Sequence, residues 1–219
     1  MHSMASTPVA ESKQSIHPVH STTHVQDGAA VHSVWKTAVL FTLVTVVLLG
    51  IVYPLAVTGI ATLFFPRKAA GSLVLKDGQV IGSELLAQSF TSDRYFHPRP
   101  SAAGNNGYDA TSSGGSNLAQ SNAKLVQRIQ GDIDKLQALN PGKPVPIDMV
   151  TTSASGLDPD ITPENAYYQA PRVARARNVP EDKVRELIAK QTSGRDFGFL
   201  GEPRVNVLAL NLALDQIAK

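Results

Sequence analysis

From Ala38 to Phe65 the chain carries no charged side chain, and the flanking charges are Lys36 on one side and Arg67 on the other. A helix needs about 20 apolar residues to cross the hydrocarbon layer of a bilayer. Only a helix or a closed barrel satisfies its own backbone in that layer. The run therefore predicts a membrane span with a turn or two left over for tilt or a kink. A cleavable signal sequence would have a shorter apolar centre, nearer the N-terminus, and a small-residue exit site. Residues 35–66 are accordingly read as an uncleaved anchor. Trp35 and Lys36 stand where an aromatic ring and a snorkelling amine meet headgroups, and Arg67 and Lys68 close the other end.

Inside the span, Tyr53-Pro54 withdraws one helical hydrogen bond, because proline has no N–H. Gly50 and Gly59 leave a smooth strip on which another helix can approach closely. Tyr53, Pro54 and Gly59 are therefore the assembly candidates within the anchor. Orientation is weakly encoded: Lys36 on one flank against Arg67 and Lys68 on the other mildly favours a cytoplasmic C-terminal side.

The 219 residues leave room for a tail, this span and one soluble domain with a single hydrophobic core. A net charge of +2 offers no basic field for nucleic acid and no acidic field for bulk cation capture. Cysteine is absent, which removes disulfides, thiol catalysis and thiolate metal sites together. Residues 1–34, rich in Ser, Thr, His and Val without periodicity, are read as a disordered tail. His17, His20, His24 and His32 lie there at irregular spacing with no second ligand type, so no metal site is assigned to them.

Residues 67–219 read as one compact α+β domain with long ordered loops. Lys76-Asp77-Gly78-Gln79 between two short apolar runs signals a hairpin. Arg94 to Tyr108, broken by Pro98 and Pro100, is a long loop. Ser121 is expected to cap a helix ending at Leu139, and Val145–Thr151 is a short strand candidate. Thr162-Pro163-Glu164 opens a further helix that Pro171 should interrupt, leaving Arg172–Arg177 and Glu181–Gln191 as separate helices. Val205–Leu214 alternates with period two but is rich in Leu and Ala, so it is split, strand first.

Chemistry is sparse. His97 is the only histidine beyond residue 34 and reads as structural. The run holding Ser113-Gly114-Gly115 is glycine-rich but lacks the Gly-Lys-Ser/Thr ending of a phosphate-cradling loop, and these residues stand with Ser155-Gly156 as weak cofactor-binding candidates only. Asp158 beside Pro159 suits capping of backbone amides in the next helix better than acid-base work. Arg172, Arg175 and Arg177 could grip an anion or simply line a solvated helical face. No catalytic residue and no metal ligand is assigned. A membrane-anchored extracytoplasmic binding or hydrolytic domain acting alone is a reading that stays open.

Several runs, in one order, resemble the C subunit of the bacterial Kdp potassium-transporting P-type ATPase. They include Tyr53-Pro54-Leu55 with Thr58-Gly59, Gly82-Ser83-Glu84-Leu85 and Tyr95-Phe96-His97-Pro98-Arg99-Pro100-Ser101. Further along come Ser113-Gly114-Gly115-Ser116-Asn117-Leu118, Ser155-Gly156-Leu157-Asp158-Pro159, Arg172-Val173-Ala174-Arg175 and Val205-Asn206-Val207-Leu208. The resemblance covers the span and the whole soluble domain. It implies a single-pass, non-catalytic accessory subunit of the bacterial inner membrane. Its implied partners are a potassium-channel-like subunit, an ATP-hydrolysing subunit and membrane lipid. It further implies an extracytoplasmic C-terminal domain and a catalytic chaperone that raises the ATP affinity of the hydrolysing subunit. On this view no cofactor is firmly held, ATP is reached through the hydrolysing subunit, and Asp158, Arg172 and Arg175 serve assembly.

Overall fold

The structure, a computed structural model, describes residues 27–217, with side chains from Ser33 onward. The histidines at 17, 20 and 24 lie outside the described residues. The described residues divide into two compact units between Val57 and Thr58.

Helix α1 runs Asp27–Val47, a π-helical turn follows over Leu48–Val52, and α2 continues Tyr53–Phe64. The helix thus begins inside the segment read as a tail. Ser33–Phe64 is long and apolar enough to cross a membrane. The π-turn has a direct cause. Pro54 can neither donate to the carbonyl four residues back nor fit against it. The helix widens ahead of it, so that the Tyr53 N–H reaches the Leu48 carbonyl. Local widening is one way a proline-containing membrane helix keeps its backbone paired.

After α2 come a short helix α3, Pro66–Ala69, and a hairpin of β1, Leu73–Lys76, and β2, Gln79–Ser83. Asp77 at φ 53° and Gly78 at φ 77° make the turn that the Asp-Gly pair predicts. Helix α4, Ala123–Leu139, is capped by the Asn122 side chain, one residue beyond the expected Ser121. The expected strand over Val145–Thr151 is instead a 3₁₀ turn, Ile147–Met149, because Pro144 and Pro146 deny it ladder donors.

Strands β3, Asp160–Ile161, β4, Thr192–Ser193, and β5, Arg204–Asn206, form an antiparallel sheet in the order β3-β5-β4. Helices α5, Pro163–Arg177, α6, Glu181–Gln191, and α7, Val207–Ile217, pack with it. Thr162 caps α5 through the Asn165 N–H, and the last run splits strand first, as its pattern predicts. Pro171 does not divide α5. An internal proline costs about 3 kcal/mol. Burial of Val173 contributes ~1.5–3 kcal/mol, and Ala166, Tyr168, Ala170 and Ala174 are buried from the same helix. Packing therefore carries the helix through to the left-handed Asn178, its C-cap.

Candidate functional site

The long loop after β2 is held by side-chain amides where a sheet would use backbone. Asn211 of α7 accepts from the Phe96 N–H at 2.8 Å and donates to the Phe96 carbonyl at 3.0 Å. Gln169 of α5 repeats the clamp one residue on, accepting from the His97 N–H at 2.8 Å and donating to its carbonyl at 3.0 Å. Both carboxamides are buried, and so is the Phe96 ring. Asn165 extends the row, its side-chain oxygen accepting from Gln169 and its nitrogen donating to buried Asp148. Asp148 also receives the Thr162 N–H at 2.9 Å, which ties the 3₁₀ turn to the start of α5.

Two of the three arginines of α5 complete this polar spine. Arg172 points inward, donating to the Asp93 carbonyl at 2.8 Å, the Tyr95 carbonyl at 3.0 Å and the Gln169 side chain at 2.7 Å. Burial pulls its pKa below the usual arginine value. Arg177 is almost wholly buried, pairing with Asp215 at 2.8 Å, donating to the Arg94 carbonyl at 2.6 Å and lying 4.7 Å over the Tyr95 ring. Arg175 stays exposed and reaches only the Pro171 carbonyl. The three thus divide into two inward struts and one surface cation. The His97 ring sits 3.1 Å from the Ser92 carbonyl, and burial, aided by Arg172, lowers its pKa below 6.5. The neutral ring satisfies that carbonyl with its proton on Nε2.

Ser113, Gly114, Gly115, Ser155 and Gly156 come together, although two separate loops carry them. The Gly114 N–H donates to the Ser155 carbonyl at 2.9 Å, and the Ser113 hydroxyl reaches the same oxygen at 2.9 Å. Ser101 binds the junction from behind, donating to the Gly156 carbonyl at 2.7 Å. Gly156 adopts φ +69°, and a Cβ there would lie 2.7 Å from the Gly114 carbonyl and 2.6 Å from the Ala103 methyl. One on Gly115 would lie 2.9 Å from the Ala154 carbonyl. These glycines are explained by loop-to-loop contact, and the Gly114 and Gly156 amides donate within the chain.

A groove of about 580 Å³ opens beside the junction, lined among others by Leu85, Leu86, Arg99, Ser153, Ser155 and Asp158. Arg99 and Asp158 pair across it at 2.9 Å. The second Asp158 oxygen accepts from the Asp160 N–H at 3.1 Å, a local turn. The expectation that Asp158 caps the next helix is thus corrected, since Thr162 and Asp148 do that work. Among the described residues no group of three or more histidines and carboxylates is placed to hold a metal. Tyr53, Pro54 and Gly59 lie on the spanning helix, all exposed on its surface.

Residues 35–216 match the family described as KdpC, the c chain of the K+-transporting ATPase. The chain belongs to that family. The KdpC subunit of the potassium-transporting ATPase from Acidobacterium capsulatum is 60% identical over 183 residues, which span 83% of this chain and 97% of that relative. The KdpC subunit from Koribacter versatilis is 58% identical over 179 residues, covering 82% and 92% respectively. That from Methylobacterium nodulans is 56% identical over 182 residues, covering 78% and 90%. The bounds of the KdpC match take in most of the spanning helix, the clamped loop, the glycine junction and the Arg177–Asp215 strut.

Asn165, Gln169 and Asn211 are the site residues that motif reasoning passed over. Asn211 interrupts an otherwise apolar run, and Asn165 and Gln169 stand four apart on the face of α5 that carries Ala166, Ala170 and Val173. A carboxamide on an apolar face is the signal, since burial obliges it to find partners.

Proposed function

We propose that this chain is the non-catalytic accessory subunit of a high-affinity, ATP-driven potassium uptake complex. It is a single-pass protein of the bacterial inner membrane with its C-terminal domain outside the cytoplasm. The observation carrying the accessory-subunit reading is the family match across residues 35–216, which includes both anchor and domain. The inward engagement of polar groups in the clamped loop supports a scaffold role for that loop. Its partners are a potassium-channel-like subunit, an ATP-hydrolysing subunit and the surrounding lipid.

Its action on ATP is that of a catalytic chaperone, raising the affinity of the hydrolysing subunit without firmly binding a cofactor of its own. With the domain outside and ATP inside, that action passes through coupled conformational states. Whatever favours the nucleotide-bound form must in turn be bound more tightly by it. Co-purification of the tagged full chain from native membrane is expected to yield a stoichiometric complex with two larger membrane proteins. Recovery of the chain alone, with hydrolytic activity of its own, would overturn the proposal. Fusions after Lys219 decide the topology: active phosphatase and dark fluorescent protein are expected. The opposite pattern would put the domain beside ATP.

A further inference from the structure

Between β4 and β5 the chain projects a second, smaller turn whose apolar residues serve no core. The Asp196 N–H donates to the Leu200 carbonyl at 2.9 Å, and the Leu200 N–H returns to Asp196 at 2.9 Å. At its tip Phe197 is 88% exposed, Phe199 70% and Leu200 49%. Phe197 holds φ +54°, followed by Gly198 at +82° and Gly201 at +74°. A bulky residue adopts that region only where its surroundings impose it, and such strain concentrates at binding positions.

The charges around the tip are consumed within the hairpin and its sheet. Arg195 pairs with Glu202, and Arg204 pairs with both Asp196 and Asp160. A membrane-dipping loop would offer free cations to anionic headgroups, and here the flanking arginines are engaged. An apolar aromatic centre inside a self-neutralised polar rim is the make-up of a protein–protein contact. The two rings could bury about 400 Å². That is well under the ~800 Å² per partner of a stable interface, so a tip-to-tip dimer of this chain is too small to persist.

We propose that the tip Phe197–Leu200 is a preformed knob that enters an apolar, uncharged pocket on a protein subunit of the complex. It supplements a larger contact made elsewhere, and this rests on the accessory-subunit reading. Because the turn is fixed in the free chain, little ordering remains to be done on docking.

The test places p-benzoylphenylalanine at Phe197 in the full chain, co-expressed with the other subunits and irradiated in native membrane. Val126, an exposed residue on α4, carries the same probe as a control. Position 197 is expected to cross-link to one protein subunit several-fold more efficiently than position 126. Equal yields, cross-links to lipid or to a second copy, or none, in membranes where the wild-type chain co-purifies with its partners, would overturn the knob while leaving the accessory reading intact. Failure of the wild-type chain to co-purify would overturn both. As a second measurement, Phe197→Gly removes the ring and relieves its left-handed backbone. Retention in the complex through a detergent wash should fall several-fold with a thermal midpoint no lower than that of the wild-type chain, and undiminished retention would overturn the proposal.

Discussion

Arg177 bears more of the domain's order than any surface charge. Its side chain is 3% exposed, against 29% for Asp215, its partner. Removing one member of a buried pair costs about 3–5 kcal/mol. Asp215 reaches water here, so Arg177→Met should cost about 3 kcal/mol in urea unfolding of the full chain. Arg177→Lys should recover only part of it, because an ammonium lacks the planar fork that serves Asp215 and the Arg94 carbonyl together. Asp158 differs. Its pair with Arg99 is partly solvated, and Asn would keep the acceptor for the Asp160 N–H. Such pairs contribute about 0.2–1 kcal/mol. Asp158→Asn should therefore leave potassium-stimulated hydrolysis of the assembled complex nearly unchanged. A 100-fold drop in an intact complex would instead mark a general acid or base.

His97 supplies the pH dependence. Burial and Arg172 depress its folded-state pKa below 6.5, so the unfolded chain binds more protons once the pH falls through that value. Stability must then decline as pH drops from about 7 towards 5, and His97→Gln should flatten that decline in thermal melts. Asp160 acts in the opposite sense at lower pH, because burial and the neighbouring Asp158 raise its pKa above 3.8. Protonating Asp160 therefore favours the folded state.

At the level of elements, the π-turn before Pro54 sets the phase of the anchor. A π-turn accommodates one extra residue, and each residue turns an α-helix by about 100°. Pro54→Ala should let Leu48–Val52 return to α register and rotate the helix face on one side of the turn relative to the other. Membrane insertion should be unaffected. Because the chain contains no cysteine, single-cysteine cross-linking along the span can read that rotation directly. Gly59→Leu should leave insertion intact but weaken assembly by filling a strip that a neighbouring helix needs.

The span, the Asp-Gly hairpin, the Thr162 cap and the strand-to-helix split after Val205 were legible in the sequence because local rules decide them. Pro171 and Val145–Thr151 were not. At Pro171 core packing outweighs a local penalty, and between Val145 and Thr151 the prolines remove donors that a strand needs. The glycine loops were visible as glycine loops. Their mutual packing was hidden, because the contact joins residues about forty positions apart. The carboxamide clamps on Phe96 and His97 were likewise invisible as pairs, since each spans more than seventy residues.

For the whole molecule, an anchor with an exposed apolar surface and a domain built around a clamped loop make sense as one part of a larger assembly. Potassium-stimulated ATP hydrolysis, measured against ATP concentration in the purified hydrolysing and channel-like subunits with and without the full chain, tests that claim most directly. The account predicts no hydrolysis by the chain alone, and with it a lower apparent KM for ATP. An unchanged KM in an equally intact complex lacking the chain, or turnover by the chain by itself, would contradict it.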